Sequence, residues 1–565
     1  MSPLRPSWIA LATIACGVPD APGVDTDQDV VVAVDTDDTD VAPDTDAPAD
    51  TDVPPPPDHT VRTSGAIPCA DPTQRDAARW AVQDAPFENL VEGQYRLVGG
   101  GAVVADLTGD GLLDVLLPGA FTSQYRVGFA DGTFTDLVDE GFPGVDLSMS
   151  TGATAVDVDG DGDLDLFVTR WAEPSLLLLN SGRGVFADAT TGSGIDVSTR
   201  AQTSAWGDMD RDGDLDLFVG SYGPTPENPH DTPLAEIGDP PRLFENLGGG
   251  MFLDRSELIP DDVKGGYTFM SSFQDLDGDQ QPELLMINDY GWSRPSRLFW
   301  NTPTGLSLDV DNQSGFEIPF AGMGLGIGDL NGDERPDFVQ TSWKAASLLL
   351  STPVGWFEGA SSRGLIATWE GEGDLQEFGW GTEVVDLDLD GDGDVLMNFG
   401  YWDEWHDASW EPDAVFVQDE AGQFHDEGVA WGMDVREPSR GLVVADFNND
   451  GWPDVLKRPL DSPPLLYVSR CGEGTWLRVR THAPPPNTFG ISTRVRVTAG
   501  ARVWNRWVHA GGTSMYSSGP PEVLFGLGGA TRLDKVELFW PDGRTTTLTD
   551  VDADQILDVT LLPRP

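Results

Sequence analysis

Asp157-Val-Asp-Gly-Asp-Gly-Asp-Leu-Asp165, running on into Leu166-Phe-Val168, decides the fold of this chain. Acidic residues alternate, a glycine holds the sixth position, and a short apolar strand follows the ninth. The same wording begins again at Asp106, Asp208, Asp275, Asp329, Asp386 and Asp446. Alternate residues of a tight loop turn their side chains inward, and glycine at the sixth position permits the positive φ of a sharp turn. Oxygens gathered in this way suit Ca²⁺, a hard cation that takes about six to eight of them. Without a cation, several carboxylates in one loop repel one another.

Working outward, each loop sits in a unit of the same plan. A short apolar strand leads in, and a second follows, such as Leu164-Asp-Leu-Phe-Val168, Leu215-Asp-Leu-Phe-Val219 or Pro336-Asp-Phe-Val339. A third strand comes next, such as Ser175-Leu-Leu-Leu-Leu-Asn180 or Arg242-Leu-Phe-Glu-Asn246. A Gly-rich turn then returns the chain through a strand centred on Phe186, Phe252 or Phe424. The period is about 50 to 67 residues, and four strands repeated radially define a propeller. The expected fold is all-β: a seven-bladed propeller over residues 75–472, then a smaller all-β domain over 473–565. A linear β-solenoid is the alternative, with repeats that are usually shorter.

The candidate ligands follow loop by loop. Side-chain oxygens come from Asp106, Thr108, Asp110 and Asp114; from Asp157, Asp159, Asp161 and Asp165; and from Asp208, Asp210, Asp212 and Asp216. The fourth and fifth loops offer Asp275, Asp277, Asp279 and Glu283, and Asp329, Asn331, Asp333 and Asp337. The sixth and seventh offer Asp386, Asp388, Asp390 and Asp394, and Asp446, Asn448, Asp450 and Asp454. Backbone carbonyls at the seventh position complete each set: Leu112, Asp163, Asp214, Gln281, Arg335, Asp392 and Trp452. Up to seven structural Ca²⁺ ions are expected. An EF-hand is excluded because Val168, at position 12 of the second loop, lies inside a strand. Gln280 and Glu334 replace the glycine, Thr108 and Asn331 occupy the third position, and Leu389 stands at the fourth. The second, third and sixth loops are therefore expected to bind tightest and the fourth weakest.

Charge and the termini set the compartment. Asp and Glu outnumber Lys and Arg by 95 to 33, a net charge of −62. Nucleic acid is disfavoured as a partner, since phosphate binding needs a basic face. Residues 1–16 read as an export signal, with the apolar run Trp8-Ile-Ala-Leu-Ala-Thr-Ile-Ala15 too short to span a bilayer. Residues 17–74, rich in Asp-Thr-Asp and proline, read as an acidic disordered tether. From about residue 475 the acidic loops stop and basic residues become more frequent. Cys69 precedes the first repeat and Cys471 follows the last, positions that are neighbours in a closed ring. An oxidising compartment favours a disulfide between them, with two separate buried thiols as the alternative.

Three resemblances sharpen this reading. The loops and the strands after them resemble the FG-GAP (VCBS-type) repeats of integrin α-subunit propellers and related bacterial proteins. Gly490-Ile-Ser-Thr-Arg-Val-Arg-Val497, His509-Ala-Gly-Gly512, Leu524-Phe-Gly-Leu-Gly528 and Val536-Glu-Leu-Phe-Trp-Pro-Asp-Gly543 resemble the ASPIC/UnbV domain that follows such repeats in cartilage acidic proteins. These resemblances imply calcium binding and extracellular interaction, and they assign no reaction. Ala15-Cys16-Gly17 resembles a bacterial lipoprotein cleavage point, which implies lipidation of Cys16 and an outer-membrane location. Thr13 departs from that pattern, and an ordinary signal peptide cut nearby is the alternative.

The six histidines form no HExxH or other zinc pair, and neither a Walker loop nor a Gly-x-Ser-x-Gly elbow occurs. Gly322-Met-Gly-Leu-Gly-Ile-Gly328 runs into an acidic loop rather than a helix, so it reads as a close-packed inner strand. The expected function is a monomeric calcium-binding scaffold for a protein or glycan ligand, without catalytic residues, touching the membrane only through its lipid. A secreted enzyme acting on polysaccharide or another polymer, with structural calcium, is the alternative; a passive envelope component is a third. Long loops on rigid scaffolds often carry recognition. Residues 221–241, and the insertion bearing Trp402, Trp405 and Trp410, are the candidate partner-facing segments.

Overall fold

Seven four-stranded antiparallel sheets account for the repeated units. The computed structural model describes residues 58–65, 77–79, 99–119, 123–128, 134–223, 238–343, 346–366, 378–400, 411–433, 436–460, 462–469 and 472–564. In the first six blades the strands pair in chain order. The second blade is representative: Ser150–Val156, Asp165–Arg170, Leu176–Asn180 and Phe186–Asp188. Its first strand, Ser-Thr-Gly-Ala-Thr-Ala-Val, is buried along its whole length. Residues this small let the first strands crowd together. Those of successive blades touch in order, and that of the seventh, Ser439–Ala445, touches that of the first, Val103–Ala105. The strands therefore close into a ring rather than stacking in a line.

The two ends of the repeat region meet in the seventh blade. Ser439–Ala445, Asp454–Pro459 and Leu465–Tyr467 come from the end, and the fourth strand, Ala77–Arg79, comes from the beginning. Ala77 lies opposite Tyr467 and Arg79 opposite Leu465. Backbone hydrogen bonds thus seal the ring. Cys16, Cys69, Cys471, Trp402, Trp405 and Trp410 lie outside the described residues. The glycine-rich run forms the first strand of the fifth blade, Gly322–Gly328, as its sequence implies. A Cβ on Gly324 would stand 2.1 Å from the Trp380 carbonyl oxygen of the next blade.

The C-terminal region folds as two further four-stranded sheets. One contains Glu522–Gly526, Trp476–His482, Gln555–Leu561 and, unexpectedly, His59–Gly65. The other contains Arg502–Trp507, Arg494–Ala499, Arg532–Phe539 and Thr545–Asp552. One strand departs from the sequence reading, and another has no apolar run to mark it. His59–Gly65 falls inside the segment expected as tether, yet it pairs along its length with the free edge of Gln555–Leu561. Its Thr-Val-Arg-Thr core is β-branched and suits an edge strand. Thr545–Asp552 is polar and largely exposed, so it lacks the apolar run that marks a strand in sequence. Among the described residues no helix is long and apolar enough to cross a membrane.

Residues 56–565 form one compact unit, and segment 509–519 of the C-terminal region explains why. It leaves the C-terminal sheets and runs down the axis of the ring, reaching the first strand of every blade. Ser518 and Ser514 pair through their backbones with Val104, Ala102 and Leu325 at 2.8 to 3.2 Å. Gly511 bridges Ala205, and Thr513 hydrogen-bonds Glu383. A Cβ on Gly101 or Gly152 would stand 2.2 or 2.7 Å from the Tyr516 carbonyl oxygen. Met515 and Tyr516 are buried with Trp171, Tyr222, Tyr267, Phe269, Met323, Phe378 and Trp380. Replacing Tyr516 by alanine should cost about 3–5 kcal/mol. Denaturant unfolding should still show one transition for the blades and the C-terminal sheets. Destabilisation confined to the C-terminal sheets, read by hydrogen exchange, would contradict a shared core.

Candidate metal centres

Every acidic loop joins the first strand of its blade to the second, and its ninth residue opens the second strand. That residue is fully buried or nearly so in all seven blades. One of its oxygens accepts the N–H of the second loop residue; the other accepts an N–H from the third strand. In the second blade the donors are Val158 at 3.0 Å and Asn180 at 2.8 Å. In the third they are Met209 at 2.7 Å and Asn246 at 2.8 Å. Asp114, Glu283, Asp337, Asp394 and Asp454 repeat the pattern, with Gly128, Asn301, Ser351 and Gln418 as third-strand donors and Ser469, just past the third strand, as the donor in the seventh blade. A residue read from sequence only as a ligand is therefore also the staple that fastens loop to blade.

The first and fifth positions shape the rest of the loop. Asp157 accepts the Gly160 and Gly162 N–H groups at 2.8 and 3.0 Å, and the Asp161 Oδ1 accepts the Asp163 N–H at 3.0 Å. Equivalent bonds recur in the other six loops. The sixth residue has positive φ throughout, and where it is glycine φ runs from 87° at Gly451 to 98° at Gly162 and Gly391. Gln280 and Glu334 adopt the same conformation, with φ of 70° and 69°. The loop geometry survives their substitution, at a strain cost of about 1 kcal/mol or more.

Four loops bring acids together. Asp157, Asp159 and Asp165 place one oxygen each within 4.8 Å of one another, and so do Asp208, Asp210 and Asp216, and Asp386, Asp388 and Asp394. In the fourth loop the converging set is Asp275, Asp277 and Asp279, without Glu283. The first, fifth and seventh loops carry Thr108, Asn331 and Asn448 at the third position and so lack that carboxylate. The Thr108 hydroxyl is buried without a hydrogen-bond partner. Asn331 turns its amide nitrogen onto Ser351 and Asp337 instead.

The electrostatics match a cation cage. Burial, then the neighbouring loop acids, pushes the Asp165 carboxyl up to about 8. The same causes raise Asp216 to about 9, Glu283 to about 9 and Asp337 to about 7. Burial raises Asp208 and Asp275 to about 6. Carboxylates held this way gain most from a divalent ion, which offsets both the lost hydration and the mutual repulsion.

The C-terminal domain lies over these loops, which sequence reasoning missed. The Thr488 hydroxyl donates to Asp157. Arg502 and the Trp504 indole donate to the Asp390 and Gly391 carbonyls at 2.9 and 2.8 Å. Arg496 pairs with Glu334 at 2.9 Å. In the seventh loop the buried Arg478 guanidinium meets Asp446 at 3.2 Å and donates to the Asn449 side chain at 2.6 Å. That loop, expected from its wording to hold calcium, thus has a protein cation beside its first carboxylate. The rise in basic residues after 475 was the one sequence signal of this contact.

The fold and loops define a seven-bladed propeller with acidic interstrand loops, capped by a β domain that plugs its axis. Family comparison adds names to both parts. Residues 157–219 and 275–339 match the FG-GAP-like repeat, and residues 483–561 match ASPIC and UnbV. The chain therefore carries FG-GAP-like repeats followed by an ASPIC/UnbV domain. It is 24% identical over 294 residues to cartilage acidic protein 1 of Xenopus tropicalis, a match covering 49% of this chain and 42% of that protein. The chain thus spans less than half the length of that relative. Solved structures that resemble it include an Agrocybe aegerita lectin recognising non-reducing terminal N-acetylglucosamine. That match has 17% identity and a TM-score of 0.37, covering 63% of this chain and 88% of that one. A Bacillus licheniformis rhamnogalacturonan lyase matches at 13% identity and a TM-score of 0.36, covering 66% and 71%.

Raised carboxyl pKa values fix the sign of a pH effect. A carboxyl whose folded pKa lies above its unfolded value stabilises the fold while protonated. That contribution is complete below about pH 4 and fades as the pH rises through about 6 to 9. Chelated protein should therefore melt at a higher temperature near pH 5 than near pH 8, and calcium should remove most of the difference. Melting curves in EDTA that are flat or opposite in slope across this range would contradict the assignment.

Proposed function

We propose that this chain is a calcium-binding, extracytoplasmic propeller that presents loops to a protein or glycan partner. The observation that carries the reading is the convergence of three carboxylates in each of the second, third and sixth loops. Those are also the loops whose wording keeps aspartate at positions 1, 3, 5 and 9. The FG-GAP-like and ASPIC/UnbV matches support an extracellular interaction role. The acidic loops lie beneath the C-terminal domain, which leaves the opposite edge of the blades for recognition. The second strands of the third and sixth blades, Asp216–Ser221 and Asp394–Phe399, end at that edge, and segments 221–241 and 401–410 follow them in the sequence.

Calcium here stiffens a scaffold. A site with Kd of about 10⁻⁴–10⁻³ M contributes no more than about 1–1.5 kcal/mol at roughly 1 mM calcium. Several such sites together rival the net stability of a domain. Elemental analysis should find calcium retained by purified protein, and isothermal titration should lose sites when Asp159, Asp210 or Asp388 becomes asparagine. Metal-free protein with the same melting temperature in EDTA and in calcium would overturn the reading.

The export route belongs to the same proposal. Cys16 carries a lipid that holds the chain at the outer membrane, and Cys69 and Cys471 form a disulfide that fastens the ring closed. Such a bond would contribute about 2–5 kcal/mol. Palmitate labelling should vanish in Cys16→Ser, and denatured protein should show no free thiol at Cys69 or Cys471 until it is reduced. Two free thiols would end the disulfide proposal, and labelling that survives Cys16→Ser would end the lipid proposal.

A further inference from the structure

We propose that Lys457 and Asp413 condense to an amide, an internal covalent cross-link between the seventh and sixth blades. Lys457 lies in the second strand of the seventh blade, and Asp413 immediately precedes the third strand of the sixth, Ala414–Gln418. The lysine Nζ is in direct contact with the Asp413 Oδ2, and the two side chains are 0% and 3% exposed. Leu442 and Leu465, both buried, flank Lys457 across the sheet.

This pair differs from the other ion pairs of the described residues. Lys264–Asp261 and Lys535–Glu537 are solvent-exposed. The remaining acid partners are arginines, whose guanidinium does not lose its proton in proteins, or histidines. An ammonium and a carboxylate sealed together from water are costly as ions, and passing one proton from Nζ to Oδ2 across their contact discharges both as the first step of the condensation. Burial, together with the nearby Glu437 charge, raises Asp413 against the lowering influence of Lys457, to about 6. A desolvated lysine amine is a competent nucleophile.

The geometry also orders the reaction. Asp413 Oδ1 accepts the Phe399 N–H at 2.9 Å, which fixes the carboxyl and leaves Oδ2 toward the amine. The Nζ lone pair adds to Cγ, and the Phe399 N–H stabilises the charge that develops on Oδ1. The Cγ–Oδ2 bond then breaks, and the proton lost by nitrogen leaves with that oxygen as water. One water is released and no other reactant is consumed. Holding the amine against the acyl carbon replaces a bimolecular encounter by a unimolecular one. The product ties the sixth blade to the blade that both ends of the repeat region build.

Mass spectrometry of the full chain, digested after denaturation, tests this. The expected result is a branched peptide joining residues 413 and 457, one water lighter than its two linear parts. Lys457→Met should abolish the branch and lower the melting temperature. The native chain decides the matter even if that variant does not fold. Linear peptides carrying an unmodified Lys457 and Asp413 would overturn the proposal and leave an ordinary buried ion pair.

Discussion

The ninth-position carboxylate is the constraint on which the rest of the molecule depends. It opens the second strand of every blade, is cut off from water, and accepts one N–H from its own loop and one from the third strand. A buried acceptor left without donors is costly, so this residue and its two partners form or fail together. The loop thereby acquires one fixed position against the sheet, and the first and third residues come to point at the same small volume. Glu283 keeps both hydrogen bonds with a longer side chain, and there the converging set shifts to Asp275, Asp277 and Asp279. The staple is thus more general than the cation cage: all seven blades have it, whereas four show a three-acid cluster.

Coupling between the ring and the C-terminal domain follows from where that domain sits. It touches the acidic loops from outside the ring and the first strands of the blades from inside. Arg478, Arg496 and Arg502 place positive charge or donors on a surface with a large excess of acid. Segment 509–519 fills the axis, where seven first strands made largely of small residues would otherwise face a void. Tightly packed interiors tolerate such voids poorly. A propeller of this composition is therefore completed by its C-terminal domain rather than followed by it.

Much of this was legible in the sequence because it repeats. The loop wording fixed the strand boundaries, and the period fixed the number of blades. The glycine-rich inner strand at Gly322–Gly328 was readable because it ran straight into a loop. What escaped was non-local. His59–Gly65 pairs with a strand almost five hundred residues away, and nothing in its own composition names that partner. Thr545–Asp552 hides because a strand with one wet face need not be apolar. Arg478 looks like any basic residue on an alternating strand until the fold sets it against Asp446. Equal wording among the seven loops concealed unequal surroundings, since a loop motif carries its own residues and not those brought to it.

The seventh loop makes that last point physical. Asp446, Asp450 and Asp454 are as deeply buried as their counterparts, and burial raises all three. Asp446 nonetheless has Arg478 beside it, which pulls its carboxyl back down. A guanidinium on a neighbouring strand and a free divalent ion satisfy the same electrostatic demand, but they differ in what supplies them. The ion comes from solution and leaves under chelation; the arginine arrives with the folded C-terminal domain and stays. The blade that closes the ring thus has a loop whose first carboxylate is paired directly with an arginine of the C-terminal domain. Its closure also rests on contacts the chain itself supplies, the pairing of Ala77–Arg79 with Leu465–Tyr467 among them.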